Sequence, residues 1–350
     1  MNFDITYTYN DSNHVIIAGP CSAETPEQTM ETAKMIKDLG IKIFRAGAWK
    51  PRTKPGSFEG MGEEALKWIS QAKKETSLLV ATEIAGPKHL ELALKYNIDI
   101  FWLGARTTAN PFLVQEIVEA AKGLNNCFLI KNPINPDADL WIGAIERFLN
   151  SSIYNIAAVH RGFSMYKSGY FRNNPQWQIP IEVKRVFPKL KMICDPSHIG
   201  GKRDLIETIS QHSLDIGFDG LMIETHINPD SALSDSQQQI TPTELKRILS
   251  TLKFKDNNEK DIESSIIKLR DEIDSIDSRV MELLSERMNI SRKIGLFKKS
   301  NNIPILQPER YHQIMSRNTL LANELSMDPQ FIKSIMEAIH KESIRQQLTQ

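Results

Sequence analysis

Cysteine is scarce in this chain, with three among 350 residues, at positions 21, 127 and 194. An odd, widely spaced set without a CxxC pair excludes a disulfide framework and leaves reduced thiols for packing, metal binding or catalysis. Charge of one sign is not in excess: Lys plus Arg and Asp plus Glu both number 43, so no global field draws the chain to nucleic acid or to an anionic membrane. No apolar run approaches the ~20 residues that span a bilayer, and the opening MNFDITYTYN lacks the basic-then-apolar order of a signal peptide. A cytoplasmic protein with no nucleic-acid or membrane partner is therefore expected. Missing too is any GxGxxG or GxxxxGK after an apolar run, which leaves dinucleotide and P-loop sites without support.

What is present is repetition of type rather than of sequence. Eight short apolar or β-branched runs, His14 to Pro20, Ile41 to Gly47, Ser77 to Ile84, Ile98 to Ala105, Cys127 to Pro133, Ile156 to Gly162, Lys191 to His198 and Gly220 to His226, are spaced by amphipathic stretches such as PEQTMETAKMIKDLG and PFLVQEIVEAAKG. Eight strand-then-helix units predict an α/β fold, a (β/α)8 barrel, rather than an open doubly wound sheet.

In such a barrel chemistry gathers at the carboxyl ends of the strands. FRAGAWKPRT brings Arg45, Lys50 and Arg52 to the end of the second run, GART brings Arg106 to the fourth, IKNP Lys131 to the fifth and HRG Arg161 to the sixth. Six cations from four strand ends, in a chain of zero net charge, suit a multiply anionic ligand such as two phosphorylated small molecules. The same mouth draws Cys21 from GPCSAE, His198 from CDPSH, Glu224 from MIETH and Asp235 from NPDSALSD. A thiolate, an imidazole and two carboxylates suit a divalent metal ion of the Mn, Fe, Co or Zn type engaged in Lewis-acid work. Asp195, three residues before His198, fits either an orienting partner or an ordinary Asp-Pro turn.

Taken in order, GPCSAE, RAGAWKPRT, GARTTANP, IKNP, HRG, DPSHIGG and MIETH resemble the 3-deoxy-D-arabino-heptulosonate 7-phosphate (DAHP) synthase family over residues 1–252. The KPRT at 50–53 separates this resemblance from the eight-carbon synthases on the same fold, whose segment there resembles KANRS. The resemblance implies Cys21, His198, Glu224 and Asp235 as metal ligands, and Arg45, Lys50, Arg106, Lys131 and Arg161 as residues binding phosphoenolpyruvate. It implies Lys50, Arg52 and Thr53 as the holders of erythrose 4-phosphate, in an aldol-type condensation that releases phosphate and in which the metal polarises the aldehyde. Lys131 and Glu83, the latter in ATEIAG, are the catalytic candidates for handling protons or placing water, although a carboxylate at 83 equally suits a salt-bridge partner for the cations.

Residues 253–260, KFKDNNEK, are polar and aperiodic and read as a linker. Beyond them, over 261–350, the chain changes to a small all-α three-helix domain. From Asp261 to Lys299 apolar residues at Ile262, Ile266, Leu269, Ile273, Ile276, Val280 and Leu283 step by three and four, which predicts a long helix with a coiled-coil-like seam. Arg287 stands at the next seam position, and a buried cation needs either a protein carboxylate or an anionic ligand. Lys298 lies three turns on, roughly 17 Å away on nearly the same face, close enough to share one small dianion with Arg287. Arg270 lies about 25 Å the other way and would serve a second copy of the site in an antiparallel dimer. Two shorter helices follow, about Gln307 to Glu324 and Asp328 to Leu348.

The segments LRDEID, SERMNISRKIGLFK, LQPER and ESIRQQ resemble the all-helical chorismate mutase class over about residues 260–350. That resemblance implies Arg270, Arg287, Lys298, Gln307, Arg310, Ser343 and Gln347 as substrate-binding residues, with Lys298 and Gln347 stabilising the ether oxygen, and an intertwined homodimer. Tyr311 stands where the class commonly has Glu, and Gln307 where Asp is frequent. Three readings of the helices follow: a second enzyme rearranging chorismate to prephenate, a sensor through which a downstream product damps the barrel, or a dimerisation module alone.

Overall fold

The computed structural model describes residues 14–51, 56–165, 169–254 and 260–349. The chain forms two compact units that divide between residues 257 and 258. Eight parallel strands close the first into a barrel in chain order. They are β1 (Val15–Gly19), β2 (Ile43–Arg45), β3 (Leu79–Ile84), β4 (Ile100–Leu103), β5 (Cys127–Lys131), β6 (Ile156–His160), β7 (Lys191–Cys194) and β8 (Gly220–Glu224). β8 returns to β1 with Gly220 opposite Val15 and Glu224 opposite Gly19. The helices of this unit are α1 (Pro26–Asp38), α2 (Glu63–Thr76), α3 (Pro87–Lys95), α4 (Ala105–Thr108), α5 (Pro111–Ala121), α6 (Ala138–Asn150), α7 (Gln178–Val186), α8 (Pro196–Gly200), α9 (Ile206–Ile216) and α10 (Pro242–Thr251).

Local chemistry sets the helix starts. Thr25, Asn110 and Thr241 each accept a first-turn backbone N–H, and a proline follows each of them at a position whose own N–H would be orphaned. Helix α7 is the element the periodicity does not announce: it has nine residues, and Pro180 sits in its first turn. The seventh strand is also shorter than the apolar run, because Asp195 leaves it to cap α8 by accepting from His198 N at 3.1 Å.

Strand alternation decides where the chemistry lands. Ile17, Ile43, Ala81, Trp102, Leu129, Val159, Ile193 and Met222 pack together inside the barrel, while Ile16, Phe44, Val80 and Phe128 face the helices. Counting on by two from the interior residues reaches Arg45, Glu83, Lys131, Arg161, Asp195 and Glu224 at the carboxyl ends. The interior thus changes from a dry apolar stack to a charged layer within one residue pair per strand.

Close approach constrains the chain at the end of β1. Gly19 has φ +143°, and a Cβ there would lie 2.1 Å from Arg45 O. Gly19→Ala combines backbone strain with overpacking and should destabilise the barrel by about 2–4 kcal/mol. Urea unfolding followed by tryptophan fluorescence reads this out on the barrel alone, since all five tryptophans, 49, 68, 102, 141 and 177, lie within it; an unchanged midpoint contradicts the expectation.

The second unit has α11 (Lys260–Ser300), α12 (Pro308–Glu324) and α13 (Pro329–Leu348). Helices α11 and α12 both pack on α13. Gly295 permits the approach of α11, since a Cβ there would lie 2.8 Å from Gln347 Cα. Within one chain the seam residues Leu269, Ile273, Ile276, Val280 and Leu283 remain exposed. No helix among the described residues is long and apolar enough to cross a membrane.

Candidate functional sites

A cavity of about 410 Å³ opens at the carboxyl end of the barrel, lined by Lys50, Arg106, Arg161, Arg172, Asn173, His198 and Asp235 among others. The charged layer lies with it. Arg45 Nη2 is 3.3 Å from Glu224 Oε1, and Lys131 Nζ is 2.8 Å from Asp195 Oδ2; all four residues are buried. Asp195 Oδ2 also meets His198 Nδ1 at 2.8 Å, and His198 Nε2 lies 3.7 Å from Glu224 Oε1. Carboxylates and cations therefore alternate in a buried chain of which His198 lines the cavity and Arg45, Lys131, Asp195 and Glu224 do not. Burial opposes ionisation of Asp195, yet His198 and Lys131 hold its carboxyl well below the usual carboxylate range. Burial also pulls the Arg161 guanidinium down to about 10. Arg45 Nε and Nη1 are buried without a hydrogen-bond partner among the described residues, donors that an anionic ligand would satisfy.

Cys21, Glu224 and Asp235 form the one group of three metal-type donors among the described residues whose atoms lie within 4.8 Å of one another. Lys50 Nζ sits among them, donating to Cys21 Sγ and to Asp235 Oδ2, the latter at 2.7 Å. A cation thus occupies the position that thiolate and carboxylate donors would offer to a metal ion. Burial, then Glu224, push the Cys21 thiol up to about 12 against the pull of Lys50. Burial likewise opposes ionisation of Asp235, but Lys50 and Arg172 hold it far below its ordinary value.

Two glutamines fix this donor set. Gln238 Nε2 donates to Glu224 Oε2 at 2.6 Å, while Gln239 Oε1 accepts from Cys21 N at 2.9 Å and its Nε2 donates to Ser234 O at 2.8 Å. Sequence reasoning passed over both, and over Arg172, whose guanidinium lies 3.3 Å from Asp235 Oδ1. The only signal was polarity in two loops. Glu83 does not line the cavity; it accepts from Trp102 Nε1 at 2.9 Å, and the Trp102 ring carries Arg45 4.7 Å and Lys131 5.7 Å from its centroid. Arg52 and Thr53 lie outside the described residues.

In the helical unit a cavity of about 700 Å³ is lined by Arg287, Lys298, Gln307, Arg310, Ser343 and Gln347, together with Ser291, Glu309 and His340. Six of the seven residues singled out in this half of the sequence thus meet around one space, and Arg270, exposed on α11, does not. Arg287 finds neither a carboxylate nor full burial: its Nη1 donates to Ser343 Oγ, and burial lowers its pKa. Lys298 Nζ donates to Ile305 O at 2.8 Å. Three cations and three amides around one cavity suit a small polycarboxylate.

Comparison with known proteins matches the two segments of the chain to two families. Residues 5–260 match the DAHP synthetase I family, and residues 269–348 match chorismate mutase type II. The chain is 34% identical over 238 residues to a phospho-2-dehydro-3-deoxyheptonate aldolase of Thermotoga maritima, an alignment covering 68% of each chain. It is 25% identical over 273 residues to a 2-dehydro-3-deoxyphosphooctonate aldolase of Francisella tularensis, covering 73% of this chain and 95% of the relative. The crystal structure of the Thermotoga maritima aldolase, a DAHP synthase, superposes with a TM-score of 0.60 at 32% identity, covering 68% of this chain and 67% of that one.

Proposed function

Since the chain belongs to the DAHP synthetase I family and carries a chorismate mutase type II segment behind its barrel, we propose that it is a bifunctional enzyme of the shikimate pathway. Its barrel condenses phosphoenolpyruvate with erythrose 4-phosphate to DAHP and phosphate, and its helical unit rearranges chorismate to prephenate. One observation carries the first half: a buried layer of paired cations and carboxylates at the carboxyl end of the barrel, beside a thiol and carboxylate donor set.

Cys21, Glu224 and Asp235, with His198 beside them, would hold a divalent ion of the Mn, Fe, Co or Zn type, a reading supported by the ammonium of Lys50 bonded to Cys21 and Asp235. Such an ion supplies a Lewis acid for the aldehyde of the second substrate. Arg45, Lys131, Arg106 and Arg161 bind the carboxylate and phosphate of phosphoenolpyruvate; the unpaired Nε and Nη1 of Arg45 are the donors offered to it. Lys131, held by Asp195, and Glu83, held by Trp102, serve to move the protons of the new alkoxide and of the water that adds at carbon 2, or to place that water. Lys50, Arg52 and Thr53 take the aldose phosphate, with Lys50 also reaching phosphoenolpyruvate, so Lys50 would leave the thiol were a metal held there. Among the mutase residues, Arg287 and Arg310 bind the two carboxylates of chorismate, with Gln307 and Ser343 beside them, and Lys298 and Gln347 face the ether oxygen.

The exposed seam of α11 supports a homodimer through the helical unit, in which Arg270 of each copy serves the other's cavity. Prephenate shares both carboxylates with chorismate and fits the same cations, which makes the helical cavity the entry point for feedback on the barrel; the coupling would be reciprocal. The buried, unpaired cysteines fit the cytoplasm.

Full-length protein is tested in two assays: heptulosonate phosphate formed from phosphoenolpyruvate and erythrose 4-phosphate, and loss of chorismate. Chelation followed by gel filtration should abolish the first and leave the second unchanged, and divalent metal should restore the first. Condensation that survives chelation overturns the metal assignment. Preference for arabinose 5-phosphate as the aldose overturns the seven-carbon assignment.

A further inference from the structure

His340 belongs to the helical cavity without having been singled out by the sequence. It lies on α13 one turn before Ser343 and two before Gln347, on the face that lines the cavity. Its ring nitrogens make no hydrogen bond to the described residues, and its ring rests on Tyr311, centroids 4.8 Å apart and tilted by 56°. Burial, and then the Arg287 guanidinium, lower its pKa, so the imidazole is neutral at pH 7 and keeps an accepting nitrogen.

The cavity carries three cationic donors, and its neutral acceptors besides His340 are the Ser291 hydroxyl and the amide oxygens of Gln307, Gln313 and Gln347, of which Gln313 Oε1 already accepts from Arg310. Arg287, Lys298 and Arg310 only donate, and the Ser343 hydroxyl is committed, accepting from Arg287 and donating to Ile339 O at 2.8 Å. Glu309 is an acceptor, but it is exposed in the first turn of α12, and its negative charge opposes a dicarboxylate. Chorismate, the substrate proposed above, carries two carboxylates, an ether oxygen and one ring hydroxyl, and the hydroxyl needs an acceptor once it leaves water.

We infer that His340 accepts the hydrogen bond of the substrate's ring hydroxyl, with Tyr311 holding the imidazole in place by a tilted ring contact. The inference rests on the mutase reading of this cavity. It gives the hydroxyl a neutral acceptor, which adds no like charge beside two bound carboxylates.

The test uses the full chain, chorismate, and a chorismate analogue with hydrogen in place of the ring hydroxyl. His340→Leu should lower kcat/KM for chorismate about tenfold and leave that for the analogue within about twofold, and His340→Gln, which keeps an acceptor, should recover most of the loss. An equal fall for both compounds makes the role structural and overturns the inference, as does a His340→Leu enzyme with unchanged chorismate kinetics. Discrimination lost in Gln347→Leu instead moves the role to Gln347, whose Oε1 is buried without a partner. If the wild-type protein binds chorismate without converting it, dissociation constants from calorimetry replace kcat/KM with the same expected ratios. Wild-type protein that neither converts nor binds chorismate removes the mutase reading itself, a result that none of the His340 outcomes can mimic.

Discussion

Lys131→Met should lower kcat for heptulosonate phosphate formation by about a thousandfold, the upper range for loss of a positioned proton-handling group. Methionine keeps the unbranched apolar stem of lysine and removes the ammonium with its charge and its N–H donors. The ammonium it removes lies 2.8 Å from Asp195 Oδ2 and over the Trp102 ring, among residues closed to solvent. A second effect follows from Asp195, which loses the one ammonium in direct contact with it among the described residues and keeps His198 and the field of Arg45, so that a less compensated buried charge destabilises the barrel by about 3 kcal/mol. The sign with pH is fixed. Asp195 has a folded pKa depressed well below its ordinary value, so its contribution is present above the unfolded value of about 3.9 and is lost as pH falls toward the folded one. The stability gap between wild type and variant should therefore be full at pH 7 and narrow below about pH 4. Urea midpoints at the two pH values and turnover at a temperature where the variant is folded check both effects. Activity within tenfold of wild type would sink the assignment of Lys131.

Arg45, Lys131 and Glu224 show how much of this site could be read in the sequence. Their place after apolar runs was plain, and so was their convergence once eight such runs implied a closed barrel. Their inward direction was not, because strands buried on both faces, such as Val15-Ile16-Ile17-Ala18, carry no polar alternation from which to count. Only the register of the closed sheet shows that 45, 131 and 224 continue the interior set. Gln238, Gln239 and Arg172 were hidden for a different reason: they act from loops, where neither period applies, and Gln239 meets Cys21 218 residues away in the chain. The helical unit reversed the difficulty. Its 3.6-residue period exposed Arg287 as a charge in an apolar seam and predicted by rise alone that Arg270 would fall outside the cavity holding Lys298, as it does. What periodicity could not supply was the opposite wall, where His340 enters from a helix whose other residues read as ordinary amphipathic pattern.

Arg287→Leu should separate function from stability in that unit. Chorismate turnover should fall by about 10²–10³, the loss expected when one preorganised donor to an anionic transition state is removed. Folding should not suffer. Arg287 has Ser343 Oγ as its side-chain partner, and Ser343 keeps its own bond to Ile339 O, so no buried polar group is orphaned. Leucine at 287 also fills the gap in the apolar series between Leu283 and Ile290, so a dimer built on that seam should gain stability. DAHP formation without effector should stay at the wild-type rate. Sedimentation, thermal unfolding and both assays on the one variant decide between the three readings of the helices. A seam without a ligand would give a tighter dimer and lose nothing; a sensor would keep basal condensation and lose its response to prephenate; an active mutase would lose chorismate turnover as well. Because the three losses are nested, this single substitution ranks them, and retention of both chorismate turnover and prephenate response would leave Arg287 with no role beyond its contact to Ser343.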